Sequence, residues 1–150
     1  MLLWLIIVLI LLAAIDTKSS GIFKQKRIGQ YGKPFTIFKI KTIRVKEIKT
    51  KSISTFGAFL RKSKLDELPQ LLNILLSDMS FVGPRPDISG FADNLKGEDK
   101  FILSVKPGLT GPASLYFKNE EFILSKQERP DQYNINEIWP LKIKLNKEYV

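Results

Sequence analysis

The chain has 150 residues, no cysteine, no histidine and a net charge of +9. That length allows one domain with a real core. The missing residue types exclude disulfides, thiol catalysis, zinc–thiolate sites and any Ser–His or Cys–His relay, leaving carboxylates, lysines, arginines and hydroxyls for chemistry.

The charge is unevenly placed. Residues 17–64 hold fourteen Lys/Arg against a single acid, Glu47, whereas residues 65–150 are net −3. A positive field directly behind an apolar leader is where a protein of the cytoplasmic membrane face carries its Lys/Arg. The plainer alternative is a solvated basic face.

The leader, "MLLWLIIVLILLAAI", is apolar for fifteen residues and is ended by Asp16 and Lys18. As a helix it would reach roughly 22 Å, against a bilayer core of about 30 Å. It lacks the basic start and cleavage site of a signal peptide. It also lacks the polar stripe expected of a helix buried in a soluble domain. A membrane-dipping, re-entrant segment over residues 1–17 is the expectation, with Trp4 near an interface and Lys18 snorkelling.

"IFKQKRIGQYGKPFTIFKIKTI" reads as a β-hairpin, with strands Ile22–Ile28 and Phe35–Ile43 around a Gly29–Gly32 turn. Strand periodicity would put Phe35, Ile37, Lys39, Lys41 and Ile43 on one face, so that Lys39 and Lys41 form either an anion clamp or an ordinary amphipathic edge. Val45–Thr55 is polar and expected to be a loop. "TFGAFLRK" predicts a short helix with Phe56, Phe59 and Leu60 on its apolar side.

In "RKSKLDELPQLLNILL", Pro69 suits the first helical position and Leu71, Leu72, Leu75 and Leu76 are expected to be the buried stripe. Asp66 and Glu67 would then sit just ahead of free helix N–H groups. One reading is simple capping. The other is a carboxylate nucleophile held ionised by backbone donors and by Arg61, Lys62 and Lys64, with two carboxylates suited to Mg²⁺. "SFVGPRP" predicts a stiff turn that presents Arg85 for bidentate phosphate recognition or, more plainly, to solvent. "DISGFADNLKG" looks helical, "VKPGLTGPA" is expected to be a loop, and "NEEFILSKQE" and "WPLKIKLNKEYV" to be helices, the last aligning Leu141, Leu145 and Tyr149. No repeat is visible.

Taken together, "FKQKRIGQYGKPFTIFKIKT", "LRKSKLDELPQLLNILLSDMSFVGPRP" and "VKPGLTGPASL" resemble the bacterial sugar transferase family, small monotopic phosphoglycosyl transferases acting on a polyprenyl carrier. The resemblance implies an α+β fold: a small mixed catalytic domain over residues 18–150, with a short hairpin and several short helices, behind the re-entrant helix. It implies Asp66 as the nucleophile toward the β-phosphate of a UDP-sugar. UMP would be released, and the sugar-1-phosphate passed on to polyprenyl (undecaprenyl) phosphate. Glu67 would be the Mg²⁺ ligand, Arg61 and Arg85 phosphate binders, and Lys39 and Lys41 part of the basic strand motif "KIKTI". The implied setting is the cytoplasmic face of the bacterial inner membrane, in contact with membrane lipids. Against the family pattern, Lys41 replaces an arginine, Ile43 a methionine, Ser77 a glycine and Pro112 a tryptophan. The chain is also expected to start within the second arm of the family's membrane hairpin and to stop before a further membrane-associating helix. A non-catalytic basic membrane-surface module is the alternative. Nucleic-acid binding is not expected, since no nucleic-acid motif accompanies the charge.

Overall fold

The computed structural model describes residues 2–45 and 51–150. The fold is α+β, with short helices and three two-stranded sheets. The chain divides into two units. The first comprises residues 1–25 and 36–76, the second residues 26–35 and 77–150.

In the first unit the leader forms helix α1, Leu2–Thr17. Ile6, Leu9, Ala13 and Thr17 are its buried residues, a stripe at three- and four-residue spacing that a uniformly apolar sequence conceals. Leu9 and Ala13 pack with Ile40 and Leu60 in the core of this unit. The opposite side of the helix is apolar and exposed; Trp4 is 74% and Ile15 76% accessible. No helix among the described residues is long and apolar enough to cross a membrane.

Strands β1, Ile22–Ile28, and β2, Pro34–Ile40, pair around a 3₁₀ turn at Gln30–Gly32. The second strand is shorter than expected. It ends at Ile40, and Ile43–Val45 forms a separate strand, β3, paired antiparallel with β4, Lys51–Ile53. The expected Val45–Thr55 loop therefore contains half of a second hairpin, residues 46–50 lying outside the described set. The face shared by Lys39 and Lys41 is broken at the end of β2: Ile40 and Thr42 are buried while Lys41 lies past the strand.

Ser54 caps helix α2, Thr55–Lys62, its hydroxyl accepting from Gly57 N–H at 3.0 Å. The same hydroxyl donates to Asp16 at 2.7 Å, and Arg44 pairs with that carboxylate. An acid at a helix C-terminus opposes the helix dipole, and these two donors offset the opposition. Leu60 is fully buried and Phe56 packs beside it, but Phe59, expected inward, is 56% exposed.

Helix α3 is Gln70–Leu75, with Pro69 ahead of it rather than within it. Its burial inverts the expectation. Leu72, Leu75 and Leu76 are exposed, and Gln70 and Asn73 are buried. Asn73 explains the inversion: its side chain donates to Thr36 O at 2.7 Å and accepts from Phe38 N–H at 3.3 Å, satisfying β2 backbone groups that a leucine could not.

In the second unit, β5, Ser80–Val82, pairs parallel with β6, Gly108–Thr110. The expected loop at residues 105–113 is thus partly strand, followed by α4, Pro112–Tyr116. Glycine is required at this join by close approach. A Cβ on Gly108 would stand 2.2 Å from Gly83 N, and one on Gly111 would stand 2.1 Å from Gly83 O. The stretch expected to be helical after Pro86 holds only a 3₁₀ turn at Ala92–Asn94. Helices α5, Glu120–Ser125, α6, Pro130–Tyr133, and α7, Trp139–Tyr149, complete the unit. On α7 Leu141, Leu145 and Tyr149 follow one another at four-residue spacing as expected, and the buried residues are Ile143 and Asn146. Ile28, Ala92, Ile102 and Leu103 form the core here, with Leu95 and Trp139 against it.

Candidate functional site

Asp66 and Glu67 occupy a 3₁₀ turn, Leu65–Glu67, between α2 and α3. Lys64 makes the turn possible by adopting a left-handed backbone with φ 58°, a conformation a non-glycine residue holds only against some strain. Its N–H donates to Arg61 O and its carbonyl accepts from Glu67 N–H, both at 3.2 Å. The acids are thereby placed between a helix ending in two cations, Arg61 and Lys62, and a helix beginning with buried polar residues.

Capping does not describe their role. The N–H groups of Leu71 and Leu72 donate to the carbonyls of Leu68 and Pro69, and α3 has no side-chain cap. Glu67 is buried and receives Lys39 Nζ on Oε1 at 2.8 Å. Asp66 is half-buried, and its Oδ1 is shut away from solvent without a hydrogen-bond partner among the described residues. Buried carboxylate oxygens are normally satisfied, so an exception points to function or to something bound.

The expectation that backbone donors would hold Asp66 low is overturned. Burial pushes its carboxyl up from the ordinary carboxylate range and the Glu67 charge adds to this, while Lys39, Lys64 and Arg61 pull it back without cancelling the rise. The helix N–H groups that would have lowered it are taken by backbone carbonyls instead.

The first unit therefore brings together Asp66, Glu67, Lys39, Arg61 and Lys64. Lys41 stands just beyond the end of β2, its backbone N–H donating to Gly21 O at 2.7 Å. Lys62, at the end of α2, is exposed. Arg85 belongs to the second unit, on the turn after β5, and the expected stiffness is present there. Pro84 and Pro86 are buried and Arg85 is exposed. Gly108 N–H donates to Pro84 O at 2.8 Å, Arg27 Nη1 to Pro86 O at 3.3 Å, and Ile28 N–H to Asp87 O at 2.9 Å. Asp87 escaped sequence reading although it directly follows the Pro-Arg-Pro turn. Burial lifts its carboxyl to about 6 against the opposing charges of Lys142, Arg27 and Arg85. Gln70 and Asn73 were also missed, because the leucines around them carry the stronger helical periodicity. Their three-residue spacing from Glu67 was the signal available.

For Mg²⁺ the donor set fits a phosphate-borne ion rather than a protein cage. The described residues contain no cluster of three or more metal-ligating side chains. Mg²⁺ commonly takes one or two carboxylate oxygens and fills its shell with phosphate and water. Asp66 Oδ1 has no hydrogen-bond partner among the described residues, and the Glu67 carboxylate stands next to it in the same turn.

The bacterial sugar transferase family profile matches residues 1–146. A UDP-glucose:undecaprenyl-phosphate glucose-1-phosphate transferase of Klebsiella pneumoniae is 35% identical over 144 residues, covering 86% of this chain and 31% of that protein. An uncharacterized sugar transferase of Bacillus subtilis, EpsL, is 37% identical over 124 residues, covering 76% and 61%. The undecaprenyl-phosphate galactose phosphotransferase of Salmonella typhimurium is 34% identical over 121 residues, covering 63% and 25%. The chain thus spans less than two thirds of each of these relatives.

Proposed function

Because the chain belongs to the bacterial sugar transferase family, we propose that it transfers a sugar-1-phosphate from a UDP-sugar to polyprenyl phosphate through a covalent intermediate on Asp66. The observation that carries this reading is the buried Oδ1 of Asp66, unpartnered among the described residues and within the field of Lys39, Lys64 and Arg61. No donor competes for its lone pairs, and the surrounding cations favour the arrival of an anionic substrate.

In the first half-reaction an Asp66 oxygen bonds to the β-phosphorus. The bond from that phosphorus to the oxygen bridging it to the α-phosphate breaks, and the bridging oxygen leaves with the electron pair as part of UMP. In the second, an oxygen of polyprenyl phosphate attacks the same phosphorus and returns the carboxylate. Neither a carboxylate oxygen nor a phosphate oxygen needs a general base to attack phosphorus, which suits a chain without histidine. Positioning and charge neutralisation supply most of the acceleration of such transfers. Lys39 holds Glu67 and contributes positive charge beside Asp66; Arg61 contributes from the end of α2. In the second unit, Arg85 on its clamped turn is the phosphate-binding candidate. Glu67 and Asp66 would hold Mg²⁺, which supplies neutralisation of phosphate charge when bound.

The reaction needs a lipid substrate, and the surface of the first unit suits one. The outward side of α1 is apolar, as are the exposed Phe59, Leu72, Leu75 and Leu76. In this reading α1 meets lipid with its apolar outward side, at the level of the membrane interface. The basic residues of 17–64 would face anionic headgroups there.

The test is a panel of UDP-sugars assayed for UMP release with Mg²⁺ and polyprenyl phosphate in lipid nanodiscs. Intact-mass measurement with donor alone accompanies it. Donor-dependent mass gain of one sugar phosphate, lost in Asp66→Asn, is expected. Binding to anionic vesicles with neither UMP release nor adduct for any donor would instead make the chain a membrane-surface module.

A further inference from the structure

The 3₁₀ turn Leu65–Glu67 runs on into the α-helix Gln70–Leu75, the two joined by bonds at three-residue spacing. Leu68 N–H donates to Leu65 O, Leu71 N–H to Leu68 O and Leu72 N–H to Pro69 O. Residues three and four apart are neighbours on the surface of such a run, which places Glu67, Gln70 and Asn73 in succession along one side, and all three are buried. The outer two are matched by β2. Glu67 pairs with Lys39, and Asn73 with the backbone of Thr36 and Phe38. The middle one is not. Gln70 is 2% exposed, and its Nε2 has no partner among the described residues.

Asp66 Oδ1, four residues earlier, is in the same condition. A buried donor and a buried acceptor therefore lie about one helical turn apart and are not bonded to each other. Apolar packing alone would be served by methionine or leucine in the same volume, without a buried amide to satisfy. An unsatisfied pair of this kind fits a third species that accepts from Gln70 while meeting Asp66. A phosphoryl group does both: its phosphorus is attacked by the carboxylate, and its non-bridging oxygens accept hydrogen bonds.

We propose that Gln70 contacts the transferred phosphoryl group, Nε2 donating to a non-bridging oxygen of the phosphate that Asp66 attacks. This rests on the transfer reaction proposed above. A neutral donor is chemically apt at this point. It supports the charge on the phosphate oxygens without ion-pairing the nucleophile, as a lysine or arginine in contact would.

The experiment compares wild type with Gln70→Met, which keeps volume and removes the donor, and Gln70→Glu, which replaces the donor with a charged acceptor. Each is followed by single-turnover adduct formation with the UDP-sugar, steady-state kcat and KM, and thermal midpoint. A loss of one preorganised donor corresponds to about 10²-fold in rate. Gln70→Met should lose that factor in adduct formation and kcat, with KM for the donor little changed and the thermal midpoint equal or higher. Gln70→Glu should be slower still. Adduct formation at the wild-type rate in Gln70→Met overturns the inference alone. So does activity preserved in Gln70→Glu, which would make the amide oxygen the working atom. A rate loss explained by a lowered midpoint assigns Gln70 to structure and overturns it too. Absence of adduct in wild type overturns the transfer reading and this inference with it.

Discussion

Asp87→Asn should stabilise the protein, and by an amount that grows with pH. The folded-state carboxyl lies at about 6, against an ordinary value of 3.8. Because burial makes the folded state hold its proton more tightly than the unfolded state, ionisation counts against folding. The sign follows: no penalty below pH 3.8, a penalty that develops as pH rises through the interval to about 6, and a constant penalty above it. The shift of roughly two units corresponds to about 3 kcal/mol at full development. At about pH 4.5 the same two values leave about 1 kcal/mol. Asparagine removes the titration while keeping the side-chain shape. In a chain of this size each kcal/mol moves the midpoint by about 2–4 °C. The variant should therefore melt about 6–12 °C above wild type near neutral pH and only about 2–4 °C above it at about pH 4.5. Paired melts across that range, in the same lipid or detergent, measure the difference directly. A gap that is flat with pH, or a variant less stable than wild type near neutrality, would refute the assignment of burial as the winning effect. In that case Lys142, Arg27 and Arg85 would outweigh desolvation, and the carboxylate would be holding the Arg85 turn together by charge.

Asp66→Asn should abolish the covalent adduct and UMP release, since an amide neither attacks nor carries charge. Because the folded carboxyl is raised, it should also increase the thermal midpoint near neutral pH, the gain vanishing at acid pH below 3.8; a lowered midpoint would contradict the burial argument. Glu67→Gln should raise the Mg²⁺ concentration needed for half-maximal UMP release, and an unchanged metal titration would remove Glu67 as a ligand. Lys39→Met should destabilise by roughly 3 kcal/mol by removing the ion pair to the buried Glu67, and adding Glu67→Gln should restore much of this, as denaturant titration would show. On α1, Leu11→Gln on the exposed side should leave stability within about 0.5 kcal/mol yet weaken partition into vesicles. Ala13→Leu on the fully buried side should cost about 1–3 kcal/mol, and equal effects on stability would deny the two-sided helix.

The local and the chemical could be read directly from the chain. Composition barred histidine and thiol mechanisms. The Pro-Arg-Pro turn is stiff because proline restricts its own φ and the residue before it, a property needing no neighbours. Asp66 and Glu67 stood out as an acidic pair within a basic stretch, and the first hairpin strand was legible from its turn glycines. What the chain could not disclose was which face of a uniformly apolar or leucine-rich helix turns inward. Periodicity marks a face only where polar and apolar residues alternate. In α1 every position from Leu2 to Ile15 is apolar, so contact with Ile40 and Leu60 alone selected Leu9 and Ala13. In α3 the leucines were the obvious core, yet Thr36 and Phe38 of β2 present backbone groups that must be satisfied, and Asn73 was drawn in at the leucines' expense. The height of the Asp66 carboxyl was decided in the same way. Its sequence neighbours are cations, but its charge state answers to how much water the packed turn excludes, and only the assembled tertiary structure settles that.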